Sequence, residues 1–188
     1  MKLASVIISL AISFLATITL AQTGPSAAHE KNTVMRHQHR EHGAHQHGAA
    51  KMAIAFEGVT GQINLEVASQ AIYGFEYIPK KDADKKKQAE GLKKLETKMS
   101  EMVQFEDSLK CVISKTKLEV DQQEGGKHSD IDGEFKVVCQ KSPVGSKITF
   151  NIQKVFPDLK DIDVQVIADD LQKSFEAKQN GAVLELKK

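Results

Sequence analysis

Apolar residues recur at every second position through most of the chain beyond residue 50, and this period limits the fold more than any other feature. Between Lys51 and Glu57, three large apolar side chains alternate with small or charged ones, as in a half-buried strand. Glycines at 58 and 61 permit a turn, and the same period resumes at Ile63, Leu65 and Val67. Residues 51–68 are therefore predicted to form a β-hairpin.

Further segments repeat the alternation, and glycine- or proline-containing turns lie between several of them. They are Leu109-Cys111-Ile113, Phe135-Val137-Cys139, Ile148-Phe150-Ile152, Val164-Val166 and Val183-Leu184-Leu186. Spacing this close favours antiparallel connections over helical crossovers. We therefore expect an α+β fold, mainly an antiparallel β-sheet or sandwich, with one flanking helix.

That helix is predicted after Pro79, where the apolar period changes to three or four residues. Asp82 is placed to cap it, and Leu92, Leu95, Met99 and Met102 share one stripe. Gly91 weakens the middle, so two shorter helical pieces are an alternative. The lysines around the stripe are most simply a solvated face.

The N-terminus has the form of a secretory signal. Met1-Lys2 precedes an apolar run from Leu3 to Leu20, and cleavage is expected before Gln22. A membrane anchor is the competing interpretation, but serines and threonines interrupt the run and no cysteine follows for lipid attachment. The expected organisation is a signal peptide at 1–21, an arm at 22–50 and a β-rich domain at 51–188, without stable membrane insertion after cleavage.

The net charge of the chain limits its expected binding partners, and its cysteine content bears on the cellular compartment. Lysine and arginine number 26 against 25 acidic residues, which gives no reason to expect a nucleic-acid partner. Cys111 and Cys139 are the two cysteines, and in an exported protein such a pair usually forms a disulfide. A two-thiolate metal site is the alternative, disfavoured because neither cysteine belongs to a Cys-x-x-Cys motif.

Residues 22–50 lack any sustained apolar period and are expected to form a disordered arm. Six of the seven histidines lie there, namely His29, His37, His39, His42, His45 and His47. The two His-x-His pairs flank His42. Because alternate side chains of an extended backbone face the same side, each pair can bind one metal ion. Imidazole suits zinc, copper and nickel. Zinc is favoured over copper because Met35 is the sole sulfur ligand in the segment, while nickel remains open; a low-complexity tail without a metal role is the alternative.

A second candidate metal site contains the remaining histidine. His128 follows a glycine turn, and Asp130 two residues later could bind the same ion or orient the imidazole. A structural or inert loop histidine is the competing interpretation. The chain has no nucleophile motif, phosphate loop or His-Glu-x-x-His helix, so we expect no enzyme; a metalloenzyme using His128 and Asp130 would lack further ligands and a base.

Several of these motifs occur together in a known family. They are His42-Gly43-Ala44-His45-Gln46-His47, Gly74-Phe75-Glu76-Tyr77-Ile78-Pro79, His128-Ser129-Asp130, Phe156-Pro157 and Ile162-Asp163-Val164-Gln165-Val166. The chain resembles the ZrgA-like family of zinc-regulated periplasmic proteins. The resemblance implies a bacterial periplasmic protein, made under zinc limitation, that binds zinc and assists its import without catalysis. The family pattern has histidine where this chain has Tyr77.

The expected partners are Zn²⁺ and an ATP-driven zinc importer or its solute-binding protein. A metal-resistance or storage protein that buffers zinc, copper or nickel is an alternative that the same histidines would serve. A structural envelope protein is a second alternative.

Overall fold

A computed structural model describes residues 48–187. In chain order the elements are β1 (Ala49–Glu57), β2 (Thr60–Ala68), α1 (Ser69–Tyr73), α2 (Asp82–Met102), β3 (Val103–Phe105), β4 (Val112–Gln122), β5 (Ser129–Val138), β6 (Lys147–Phe150), α3 (Ile152–Val155), β7 (Asp161–Ala168), β8 (Leu171–Ala177) and β9 (Ala182–Glu185). The expected signal peptide and most of the expected arm lie outside the described residues.

Six strands form a mixed sheet in the order β4-β5-β2-β1-β7-β8, and β3-β6-β9 form a smaller sheet. The predicted hairpin is confirmed, with Ile54 opposite Ile63, and its first strand starts at Ala49 rather than Lys51. On its other side β1 runs parallel to β7, with Ile54 in register with Val166. This parallel pair departs from the expectation of antiparallel connections, but the α+β class is confirmed.

Helix α2 covers one face of the large sheet. Leu95, Met99 and Met102 are almost fully buried and share a core with Met52 and Ile54 of β1. The helix is continuous over 21 residues, so the two-piece alternative is wrong. Its capping position is held by Lys81, and Asp82, expected to be the cap, is the first helical residue.

Gly91 lies where α1 meets α2. A Cβ atom added to it would stand 2.8 Å from Tyr73 Cβ and 3.1 Å from the Ile72 carbonyl oxygen. The glycine is therefore required by the close approach of the two helices, and its lower helix propensity is outweighed by packing.

Cys111 and Cys139 form the predicted disulfide, which is consistent with an extracytoplasmic protein. Both lie just outside the strands they were expected to occupy. Leu109 belongs to a 3-10 turn and Lys110 has a left-handed backbone (φ 49°), so β4 begins only at Val112. The bridge therefore joins the start of β4 to the end of β5. Similarly, Ile152, expected in a strand, begins α3.

In the described range, residues 48–187, no helix combines the length and hydropathy needed to cross a bilayer.

Candidate metal site at the β4–β5 turn

His128 lies in the turn that joins β4 to β5. Gly125 and Gly126 adopt left-handed backbone angles there, with φ of 87° and 67°. The turn is closed by the Gln123 amide, which donates to the His128 carbonyl oxygen at 3.0 Å. The imidazole of His128 is 51% exposed and so stands at the protein surface.

Glu76 is brought to His128 by the segment that follows α1. Gly74 ends that helix in a left-handed conformation (φ 91°), which turns the chain into an extended stretch. Phe75 stacks on Tyr77 with ring centroids 4.6 Å apart, and it makes a tilted ring contact with Tyr73 at 4.7 Å. Glu76 therefore lies between two residues, Phe75 and Tyr77, whose rings stack on each other.

Gln122 joins this segment to the turn. Its side-chain amide donates to the Glu76 carbonyl oxygen at 3.2 Å and to the His128 carbonyl oxygen at 2.6 Å. The carboxylate of Glu76 is 8% exposed, and its Oε2 lies 2.7 Å from His128 Nδ1. A buried carboxylate thus holds one nitrogen of a surface histidine.

Asp130 lies two residues farther along β5 and is 3% exposed. Its Oδ2 accepts a hydrogen bond from the Gln123 side chain at 3.3 Å. Gln123 therefore contacts both members of the pair that the sequence singled out, through its backbone to His128 and its side chain to Asp130. The carboxylate that contacts the His128 ring is Glu76, which sequence reasoning did not propose as a site residue. Its signal was the Gly74-Phe75-Glu76 motif.

Ser69 and Ser129 have buried hydroxyl groups next to the Ala68–Asp130 register pair. Ala68 faces Asp130 at the last step of the β2–β5 ladder, and Ser69 and Ser129 are the adjoining residues. Both serines are at most 1% exposed, and neither Oγ has a hydrogen-bond partner within the described structure. Buried polar atoms of this kind mark a place that a ligand or water can satisfy.

Tyr77 occupies the position at which the family pattern given above has a histidine. Partial burial of the ring, with a smaller contribution from the Asp84 carboxylate, raises the pKa of its hydroxyl. Both effects favour the neutral form of the phenol.

Within residues 48–187 there is no group of three or more His, Cys, Asp or Glu side chains arranged to hold one metal ion. The other predicted ligands, His37, His39, His42, His45 and His47, lie outside the described residues, as does His29. Their segment joins the fold at Gly48, whose carbonyl oxygen accepts hydrogen bonds from the Lys160 and Asp161 amides at 2.6 Å and 3.3 Å. Gly48, the first described residue, therefore lies next to the start of β7 and directly before β1, one of the two central strands of the large sheet.

A protein-family model described as the ZrgA family zinc uptake protein matches residues 44–186. The chain belongs to the ZrgA family. The match includes His45, His47, Glu76, His128 and Asp130, and the recognition made from the sequence motifs is confirmed. ZrgA is a zinc uptake family and not an enzyme family, and membership implies association with zinc. No curated protein matches the chain.

Proposed function

We propose that this ZrgA-family protein is a periplasmic zinc-binding protein that captures Zn²⁺ through its histidine-rich arm and assists an ATP-driven importer. The capturing residues are His37, His39, His42, His45 and His47. The metal then passes to His128 of the folded part, or directly to the importer or its solute-binding protein.

The Glu76–His128 pair is the observation that carries this proposal. A carboxylate that holds one imidazole nitrogen fixes the orientation and tautomer of the ring, as it does for many metal-binding histidines. Zinc would then be bound through Nε2 of His128. Asp130, linked to the same turn through Gln123, is the nearby oxygen donor, and the arm supplies further imidazoles toward the four donors that zinc prefers.

The expected order of affinities follows from preorganisation. Fixing a disordered backbone costs roughly 1–2 kcal/mol per residue, so sites on the arm should be weaker and exchange faster than a prebuilt site. The pair at the β4–β5 turn already has its backbone fixed. A zinc ion bound by His128 together with arm histidines should therefore be held more tightly than an ion bound by the arm alone.

Zinc titration calorimetry on the mature chain from Gln22 tests it. A variant with the five arm histidines changed to alanine should lose most of the bound equivalents. His128→Ala should remove a tighter component, and Glu76→Gln should weaken that component because a neutral amide orients the ring less firmly. Glu124→Gln, an exposed carboxylate in the same turn, is the matched control and should change neither.

Retention of full binding after loss of the arm histidines would contradict capture by the arm. In cells, loss of the protein should impair growth when zinc is chelated. Sensitivity to excess zinc instead would support a storage or resistance protein.

A further inference from the structure

The buried hydroxyl groups of Ser69 and Ser129 are the strongest sign of a further binding site. Ser69 is the first residue of α1 and Ser129 is the first residue of β5. They are 0% and 1% exposed, and within residues 48–187 neither Oγ atom has a hydrogen-bond partner. A buried hydroxyl without a partner costs free energy, so such groups in folded proteins are satisfied by protein or by water.

The two serines lie side by side on the core face of the large sheet. The antiparallel β2–β5 ladder pairs Val67 with Ile131, and both are core residues. Ser69 is two residues after Val67, and Ser129 is two residues before Ile131. Because side chains alternate between the faces of a sheet, both serines continue the core face just beyond the end of the ladder. Facing positions of this kind place their Cβ atoms about 5 Å apart.

Gln122 joins this corner of the core to the Glu76–His128 pair. It is the register partner of Ser129 in β4, so the two side chains share one face of the sheet. Its side-chain amide donates to the Glu76 carbonyl oxygen at 3.2 Å. The Glu76 backbone therefore lies over the same corner. Oε1 of the Glu76 carboxylate is shielded from solvent there, while Oε2 contacts His128 Nδ1 at 2.7 Å.

This corner has the polar groups and the size that one water molecule needs. Two serine side chains occupy less volume than the neighbouring Val67–Ile131 pair, and a water takes up about 30 Å³. A buried water makes about three hydrogen bonds, and two hydroxyl groups with one carboxylate oxygen supply them. We propose that a buried water molecule is bound by the Ser69 and Ser129 hydroxyls and by the Glu76 carboxylate.

The water makes Ser69 and Ser129 positioning residues for His128. Held by the water on one side, the Glu76 carboxylate keeps its Oε2 directed at His128 Nδ1 on the other. The ring then donates from Nδ1, which leaves the lone pair of Nε2 available to a metal ion. This role rests on the proposed function, because His128 is the residue proposed to bind zinc in the folded part.

The sign of a stability change tests the water. Replacing buried hydroxyls that have no partner by apolar groups stabilises a protein, so without the water Ser69→Ala/Ser129→Ala should raise the urea midpoint. With the water in place the same change removes two of its three partners, and we expect the midpoint to fall. Ser114→Ala/Ser174→Ala, at exposed positions of β4 and β8, is the matched control and should leave it unchanged. A raised midpoint in the buried variant would overturn the proposal.

The tautomer of His128 tests the positioning role in the metal-free mature chain. Nitrogen-15 chemical shifts of the neutral imidazole should show the proton on Nδ1 in the wild type. In Ser69→Ala/Ser129→Ala a fraction of the other tautomer should appear, and the zinc affinity of the His128 component should fall by about tenfold, as for other outer partners of metal-binding histidines. The exposed control should keep the wild-type values.

A long-lived water should also give a nuclear Overhauser cross-peak to the Ser129 amide, and Ser69→Ala/Ser129→Ala should lose it. An unchanged tautomer together with no water cross-peak would overturn the proposal even if the midpoint falls. The tautomer and the cross-peak are measured without zinc. If they behave as expected but His128→Ala binds zinc like the wild type, the water site stands and binding of zinc at the turn fails.

Discussion

At the scale of single residues, the metal-site candidates show what a linear pattern can and cannot reveal. His128 and Asp130 were proposed because they are two positions apart. The carboxylate that contacts the His128 ring, Glu76, is 52 residues away, and it reaches the turn through the left-handed Gly74 and the Gln122 side chain. No local sequence pattern specifies the contact between Glu76 and His128, so Glu76 was not predicted as a site residue.

Gly91 provides a residue-scale prediction. Gly91→Ala should lower the free energy of unfolding by about 1–3 kcal/mol, because the added methyl group overpacks the α1–α2 contact. Helix propensity alone predicts the opposite, a gain of up to about 1 kcal/mol. Urea unfolding measures the difference, with Ser100→Ala at an exposed position of the same helix as the control. A more stable Gly91→Ala protein would show that α1 does not pack closely on α2.

At the scale of elements, strands with strict alternation could be predicted from the sequence and their long-range partners could not. The β1–β2 hairpin followed from local spacing. The parallel pairing of β1 with β7 joins Ile54 to Val166, and nothing in either segment specifies the other. Strand ends were misplaced at Leu109 and Ile152, where apolar side chains continue into the core from a 3-10 turn and a short helix.

The disulfide between the start of β4 and the end of β5 gives the element-scale prediction. The cysteines are 28 residues apart, so reduction should lower stability by about 3–4 kcal/mol in the chain-entropy model. Urea unfolding of the oxidised and reduced wild-type chain measures the change. The stability of the Cys111→Ala/Cys139→Ala protein should not change with reductant. A loss of stability in this variant equal to that of the wild type would mean that the reductant acts in another way.

At the scale of the whole molecule, zinc binding should be coupled to folding if the turn site holds the metal. A ligand at a hundred times its Kd stabilises the state it prefers by about 2.7 kcal/mol. Thermal or urea unfolding with zinc should therefore show such a gain in the mature chain and not in His128→Ala. A gain unchanged by His128→Ala would place the stabilising site elsewhere.

The order in which the strands are synthesised has its own consequence. β1 is the first described strand to be made, yet it lies between β2 and β7, and β7 ends at Ala168. A nascent chain that ends before β7 cannot yet pair that side of β1. The large sheet therefore cannot be completed during most of translation. Pairing of β1 with β7 is therefore left until nearly the whole of the described chain has been made.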